Sequence, residues 1–253
     1  MIELKSRAEL ETMRAASRVV AEVLEAVVAR VRPGISTAEL DALAEEMTLA
    51  RGAKPAFKGY VVGGRTFPSS ICISINEEVV HGIPSPRRVL REGDLVGLDF
   101  GVVYQGYYGD SARTVAVGAV PTASRRLMEV TRDALQAGID AIRPGRHIAD
   151  ISGAIQDVAE SAGFSLVREF VGHGIGRRLH EDPQVPNYRT GARGHRLTEG
   201  MVLAIEPMVN AGRPEVRVKD DGWTAVTRDG SLSAHFEHSV AVTAEGPYIL
   251  TLP

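Results

Sequence analysis

The stretch "GDLVGLDFGVVYQGYYGD" (residues 93–110) reads as an apolar strand, a tight glycine-containing turn and a second strand that Asp110 opens. Asp99 stands in the middle of the first strand. A buried, unpaired carboxylate is costly even after the protein relaxes around it, so two of them in one hairpin need a cause. Side chains alternate across a strand. Val96, Leu98, Phe100 and Val102 therefore form one apolar face, and Asp99 shares the other with Gly97 and Gly101. Two neighbours without side chains leave room beside the acid, as a bound ion would need.

The acid-bearing strand is repeated. "LREGDLVGLD" (90–99) overlays "LTEGMVLAIE" (197–206) and sets Asp99 on Glu206 at an offset of 107 residues. A looser match sets "GDSARTVAV" beside "FEHSVAV" and Asp110 on Glu237 at an offset of 127, the extra residues lying in a hairpin that contains Trp223. The helices repeat as well. Ser6 with Glu9 forms a capping box ahead of a helix with Met13, Ala16, Val20, Val23 and Val27 on one face, ended by "RPG" at 32–34. Ser36 and Glu39 open a second helix with Leu40, Leu43 and Met47 inward and Gly52 past its end. A third, with Leu127, Val130, Ala134 and Ala137 inward, runs to another "RPG" at 143–145, offset by 111 residues. A fourth carries Ile148, Ile151, Ile155 and Val158 and closes at Gly163. Repeats are read before the fold is chosen. The expectation is one domain over 1–253 with two similar halves, roughly 6–118 and 121–245, each holding two helices and an antiparallel strand pair.

Composition sets the class. Of 253 residues, 44% are hydrophobic and 24% charged, ordinary for a globular protein, and the net charge of −3 gives no global field for nucleic acid or an anionic membrane. Clusters such as Arg87-Arg88-Arg91 and Arg177-Arg178 read as solvated surface. The start, "MIELKSRAELETMR", has no apolar signal core, and no run approaches a membrane span. The single cysteine, Cys72, excludes an intramolecular disulfide and a cysteine zinc module. A cytoplasmic, monomeric protein is expected.

If the halves face each other, Asp99, Asp110, Glu206 and Glu237 converge. Such carboxylates repel unless positive charge lies between them. The strand cores carry no Lys or Arg, although pairing with arginines such as Arg113 is the plain structural alternative. Two divalent cations bridged by carboxylates would resolve the repulsion. In "REFVGHGIGRRLHEDPQVPNY" (168–188), His173 lies among Gly172, Gly174 and Gly176, read as lending backbone freedom. "GHGIG" is no dinucleotide fingerprint, since Arg177 stands where the third glycine would fall, and "HEDPQ" lacks the second histidine of a zinc helix. The set Asp99, Asp110, His173, Glu206 and Glu237 is oxygen-rich with one imidazole, suited to Mn(II), Fe(II), Co(II) or Zn(II).

These residues in this order resemble the type I methionine aminopeptidases of metallopeptidase family M24. The likeness spans nearly the whole chain and is strongest in "SICISINEEVVHGIP" (70–84), "LDFGVVYQGYYGDSARTVAVG" (98–118), "EFVGHGIGRRLHEDPQVPNY" (169–188), "AIEPMVNAG" (204–212) and "DGWTAVTRDGSLSAHFEHSVAVT" (221–243). The resemblance implies an α+β pita-bread fold, with two pseudo-twofold halves and an antiparallel sheet covered by helices. It implies removal of the initiator methionine from nascent chains whose second residue is small, by two-metal hydrolysis with a bridging hydroxide. Asp110 and Glu237 would bridge the metals. Asp99 would complete one shell, and His173 and Glu206 the other. Glu206 would also accept the water's proton, His180 steady the carbonyl oxygen, and His81 contact the scissile amide. Tyr60, Phe67, Cys72 and Trp223 would wall the methionine pocket. Two departures stand out: "GYVVGGRTFP" (59–68) looks long, and Leu179 precedes His180 where many relatives have Phe.

Two other readings stay open. An Xaa-Pro aminopeptidase or dipeptidase of the same fold usually carries an extra N-terminal domain, and only about 90 residues precede the first acid strand. A binding module that has lost its metal ligands would lack acids that this chain retains. The spacings from His173 to Glu206 and on to Glu237 leave no room for the type II insertion. A transient meeting with ribosomes follows from the family role.

Overall fold

The computed structural model describes residues 2–253. Helix α1 (Arg7–Val28) starts where expected: Ser6 Oγ accepts from Glu9 N, and the Glu9 carboxylate accepts from Ser6 N at 2.9 Å. Its stripe from Met13 to Val27 is buried. Helix α2 (Thr37–Ala50) repeats the box with Ser36 and Glu39. Helices α3 (Thr122–Asp140) and α4 (Ile148–Ser161) form the second pair; α4 starts with the Asp150 carboxylate accepting from His147 N at 2.7 Å. Both RPG turns place glycine at positive φ, 88° at Gly34 and 89° at Gly145, where an L side chain is strained. In α2 the fully inward ridge is Leu40, Ala44 and Thr48, at i, i+4, i+8; Leu43 and Met47 are half-buried at its margin. Ala137 and Val158 are likewise half-buried.

Strands Leu95–Tyr104 and Tyr107–Ala116 form a full-length antiparallel hairpin. Gln105 and Gly106, at φ 50° and 79°, make its two-residue turn, a geometry whose twist matches the flanking strands. Asp110 is thus the fourth residue of its strand, not the first. Gly109 reads as turn glycine, but its role is close approach. A Cβ there would lie 2.9 Å from Ser17 Cα, in the backbone of α1. Asp110 opposes Gly101, and Asp99 opposes Ala112, so both acids share one face as diagonal neighbours. Phe100 and its even-numbered neighbours are buried on the other face.

In the second half Val202–Ile205 pairs with His238–Thr243, ending at Ile205↔His238, which leaves Glu206 and Glu237 just beyond the last pair. Gly172–Gly174 lies on the other side of 202–205, with His173 opposite Ala204, and pairs outward with Glu181–Val185. Val216–Val218 and Ala225–Thr227 form the inserted hairpin whose connection holds Trp223.

The two sheets meet edge to edge. Glu237 N donates to Ala112 O at 2.9 Å, and Ala112 N to Glu237 O at 3.4 Å. On either side hydroxyls replace ladder bonds. Ser239 Oγ donates to Asp110 O and accepts from Asp110 N; Thr114 Oγ1 donates to His235 O and accepts from His235 N. This seam sets Asp110 and Glu237 side by side. Each half keeps its own apolar cluster, one with α1 and α2, the other with α3 and α4.

Adding a methyl at Gly109 has to push α1 off the strand that bears Asp110. Gly109→Ala is therefore expected to destabilise the protein by about 1–3 kcal/mol, read as a lowered urea midpoint at unchanged slope. An unchanged midpoint would show that the helix yields freely.

Candidate metal centre

His173 reaches the acids because its strand is squeezed between two neighbours. A Cβ on Gly172 would stand 2.3 Å from Ala204 O, and one on Gly174 2.2 Å from Asp182 O. Neither glycine has positive φ, nor has Gly176, whose Cβ would stand 2.2 Å from Lys5 Cε. The reading of backbone freedom is therefore corrected: these glycines permit close approach. Lys5 seals this bend from behind, its Nζ 2.7 Å from Glu181 Oε2, with both side chains almost wholly buried. The sequence reading missed this pair; isolated charges far apart in the chain carry no local signal of it.

Asp110, His173 and Glu237 are buried and present ligand atoms within 4.8 Å of one another. Asp99 and Glu206 are half-buried and line the same cavity, of about 200 Å³. Glu206 Oε1 lies 3.4 Å from His173 Nε2. Asp99 Oδ1, Asp110 Oδ1 and Glu237 Oε1 are buried without a hydrogen-bond partner. Buried oxygens are normally satisfied, so three orphans together call for a positive partner, and an oxygen-rich set with one imidazole suits a divalent transition metal. His173 Nδ1 lies 2.9 Å from Gly174 O, an acceptor only. The proton therefore sits on Nδ1, and Nε2 offers its lone pair.

Electrostatics agree. Burial pushes the Asp99 carboxyl up to about 7. Burial and the neighbouring acids hold Asp110, Glu206 and Glu237 well above the carboxylate range. Burial also lowers His173 to about 3 and His81 to about 4, with His180 adding to both shifts. The protons on these acids are what a cation would displace, and the neutral His173 imidazole has its lone pair free to ligate it.

The cavity gathers every residue expected from the sequence: Tyr60, Phe67, Cys72, His81, Asp99, Asp110, His173, His180, Glu206, Trp223 and Glu237. Phe67 meets Trp223 edge-on at 5.2 Å between centroids, and His81 meets Trp223 at 6.3 Å. His81 follows the strand Glu78–Val80 with φ 60°, a conformation that costs a non-glycine residue about 1–3 kcal/mol. Gly82 permits the close approach that follows this turn: a Cβ there would lie 2.1 Å from Ile73 O, and Ile73 N donates to Gly82 O at 2.8 Å. His180 is exposed at the mouth, yet shielding on its His173 side is enough to lower its pKa by desolvation. The long loop of 59–68 is a small exposed hairpin, Val61–Val62 with Arg65–Thr66, and Val62 joins the lining. Wall residues not foreseen are Phe57, Val80, Phe170 and Met208, whose apolar character looks like ordinary core. His235 was also missed. It is buried, with Nε2 unpartnered and 3.8 Å from Glu206 Oε2; only its place two residues before Glu237 could have flagged it.

A carboxylate and imidazole cluster at the joint of two antiparallel sheets is the site of a metallopeptidase, and residues 11–244 match the model of metallopeptidase family M24. The chain belongs to that family, and within it with the methionine aminopeptidases. It is 49% identical over 252 residues to a methionine aminopeptidase of Clostridium acetobutylicum, covering 100% of this chain and 99% of the relative. The crystal structure of a methionine aminopeptidase from Thermotoga maritima superposes with a TM-score of 0.96 at 47% identity, covering 100% of each chain. A prolidase from Pyrococcus furiosus shares the fold alone, at TM-score 0.79 and 24% identity, with 99% of this chain covering 65% of that one. Among the described residues no helix is long and apolar enough to cross a membrane.

The raised carboxyls give a signed expectation for stability. Without metal the folded state binds more protons at these acids than the unfolded state, so stability drops as pH rises through about 7. The lowered histidines oppose this only below their ordinary 6.5. The melting temperature of chelator-stripped protein should therefore fall from about pH 6.5 to about pH 8, and added Mn(II) or Zn(II) should raise it most at the alkaline end. A flat metal-free profile would mean the four acids do not share one field.

Proposed function

We propose that the chain removes N-terminal methionine from newly made polypeptides whose second residue is small, acting as one catalytic domain of two repeats, roughly 6–118 and 121–245. The observation that carries this reading is the convergence of Asp110, His173 and Glu237 on the floor of a cavity walled by Phe67, Cys72, Tyr60 and Trp223. Two divalent cations, drawn from Mn, Fe(II), Co or Zn, would supply Lewis acidity and a water acidic enough to be hydroxide at neutral pH. Asp110 and Glu237, adjacent across the seam, would hold them together with Asp99, His173 and Glu206.

The protein's own groups do the rest. Glu206, lining the cavity beside His173 with its Oε1 3.4 Å from His173 Nε2, takes the proton of the attacking water and returns it to the departing amine. His180 donates to the carbonyl oxygen of the scissile bond, and His81 contacts the amide as it becomes tetrahedral. The apolar wall takes an unbranched thioether side chain, and the substrate's free amine lies at the carboxylate floor. The Xaa-Pro reading has less support: the prolidase from Pyrococcus furiosus is 24% identical, and this chain covers only 65% of it. A monomer in the cytoplasm, meeting ribosomes transiently, fits the substrate; co-sedimentation with ribosomes against an albumin control tests that contact.

Release of methionine from a Met-Ala-Ser peptide checks the activity. Chelator should abolish it, stepwise Mn(II) or Co(II) should restore it, and Asp110→Asn should lower kcat by a factor of about 10³ or more while remaining folded. Release that survives both chelation and the substitution would sink the metal mechanism; no release with any metal would sink the substrate.

A further inference from the structure

His173 and His180 lie with ring centroids 4.4 Å apart, yet their second partners differ in kind. His173 Nδ1 faces a backbone carbonyl, which can only accept. His180 Nδ1 lies 2.7 Å from Tyr60 Oη, which can donate. That hydroxyl has no other hydrogen-bond partner among the described residues. Burial raises the phenol's pKa, so it keeps its proton. A phenol O–H is a better donor than its oxygen, conjugated to the ring, is an acceptor. The favoured arrangement is Oη–H donating to Nδ1, which leaves the imidazole proton on Nε2.

We propose that Tyr60 is a positioning residue that holds His180 as its Nε2–H tautomer, so that His180 meets the cavity as a hydrogen-bond donor while His173 beside it offers a lone pair. Two adjacent imidazoles with opposite tautomers divide the labour. The lone-pair nitrogen can ligate a cation. The N–H cannot compete for one, and is left to meet an oxygen on the substrate. The hydroxyl's place is built into the backbone: Tyr60 N donates to Phe57 O at 2.9 Å, and Phe67 N donates to Tyr60 O at 2.8 Å. These bonds clamp Tyr60 at the foot of the exposed 61–66 hairpin. The rings of Tyr60 and His180 are also in contact, with centroids 5.4 Å apart. Tyr60 is thus more than pocket wall, because a phenylalanine would pack as well and could not direct the proton.

What the donor meets rests on the aminopeptidase reading; the tautomer does not. The test uses full-length protein labelled with ¹⁵N-histidine and loaded with Zn(II), with two-bond ¹H–¹⁵N correlations reporting which ring nitrogen carries hydrogen. The His180 signals are identified by their loss in His180→Gln. The wild type should show His180 protonated at Nε2 and unprotonated at Nδ1. Tyr60→Phe should lose that single-tautomer pattern, while its melting temperature and the His173 signals stay in place. In the Met-Ala-Ser assay kcat should drop about 10- to 100-fold, the range for partners that orient a catalytic group, with KM changed less than about threefold. His180 protonated at Nδ1 in the wild type, or a pattern unmoved by Tyr60→Phe, overturns the proposal. So does a changed tautomer with unchanged kcat. If the tautomer behaves as stated but wild type releases no methionine under any metal, the assigned substrate fails and the tautomer control stands.

Discussion

The structure depends on one seam, where the strand of Asp110 meets the segment that carries Glu237. Two backbone bonds between Glu237 and Ala112 join the sheets, and hydroxyls of Ser239 and Thr114 carry the contact to either side. Joining two acid-bearing edges in this way concentrates negative charge where folding alone would avoid it. Buried like charges raise each other's pKa, and Asp110, Glu206 and Glu237 show the effect together. The scaffold tolerates the cost because helices α1–α4 bury two substantial apolar clusters behind the sheets. A cation is then bound by relief of a repulsion that the fold has already built.

Close backbone approach is the second recurring device. Gly109 lets α1 lie on the Asp110 strand, Gly172 and Gly174 let the His173 strand be gripped on both sides, and Gly82 lets the chain after His81 lie against Ile73. In each case a missing Cβ near the site replaces a contact between side chains. The imidazoles are held just as firmly. The Gly174 carbonyl directs His173, and a buried ion pair between Lys5 and Glu181 braces the bend next to His180.

Much of this was legible in the chain. Capping boxes at Ser6 and Ser36 and the two RPG turns are local signals, and local chemistry decides them. The acids showed themselves because a carboxylate among Val, Leu and glycine is anomalous wherever it packs. The pocket wall was legible only through likeness to relatives, since Phe57, Val80, Phe170 and Met208 look like any core residue. Asp110's place within its strand was misjudged because Gly109 looks like a turn residue. His235 went unnoticed because its one mark in the chain is its place two residues before Glu237.

By itself, then, the sequence determined the helices and marked the strand acids as anomalous, because these follow from periodicity, capping and misplaced charge. Only the tertiary structure decided which atoms meet. The contact between the halves across the seam and the pairing of Lys5 with Glu181 or Tyr60 with His180 join residues more than 100 positions apart. Such contacts are set by how layers pack, and no local pattern in the chain encodes them.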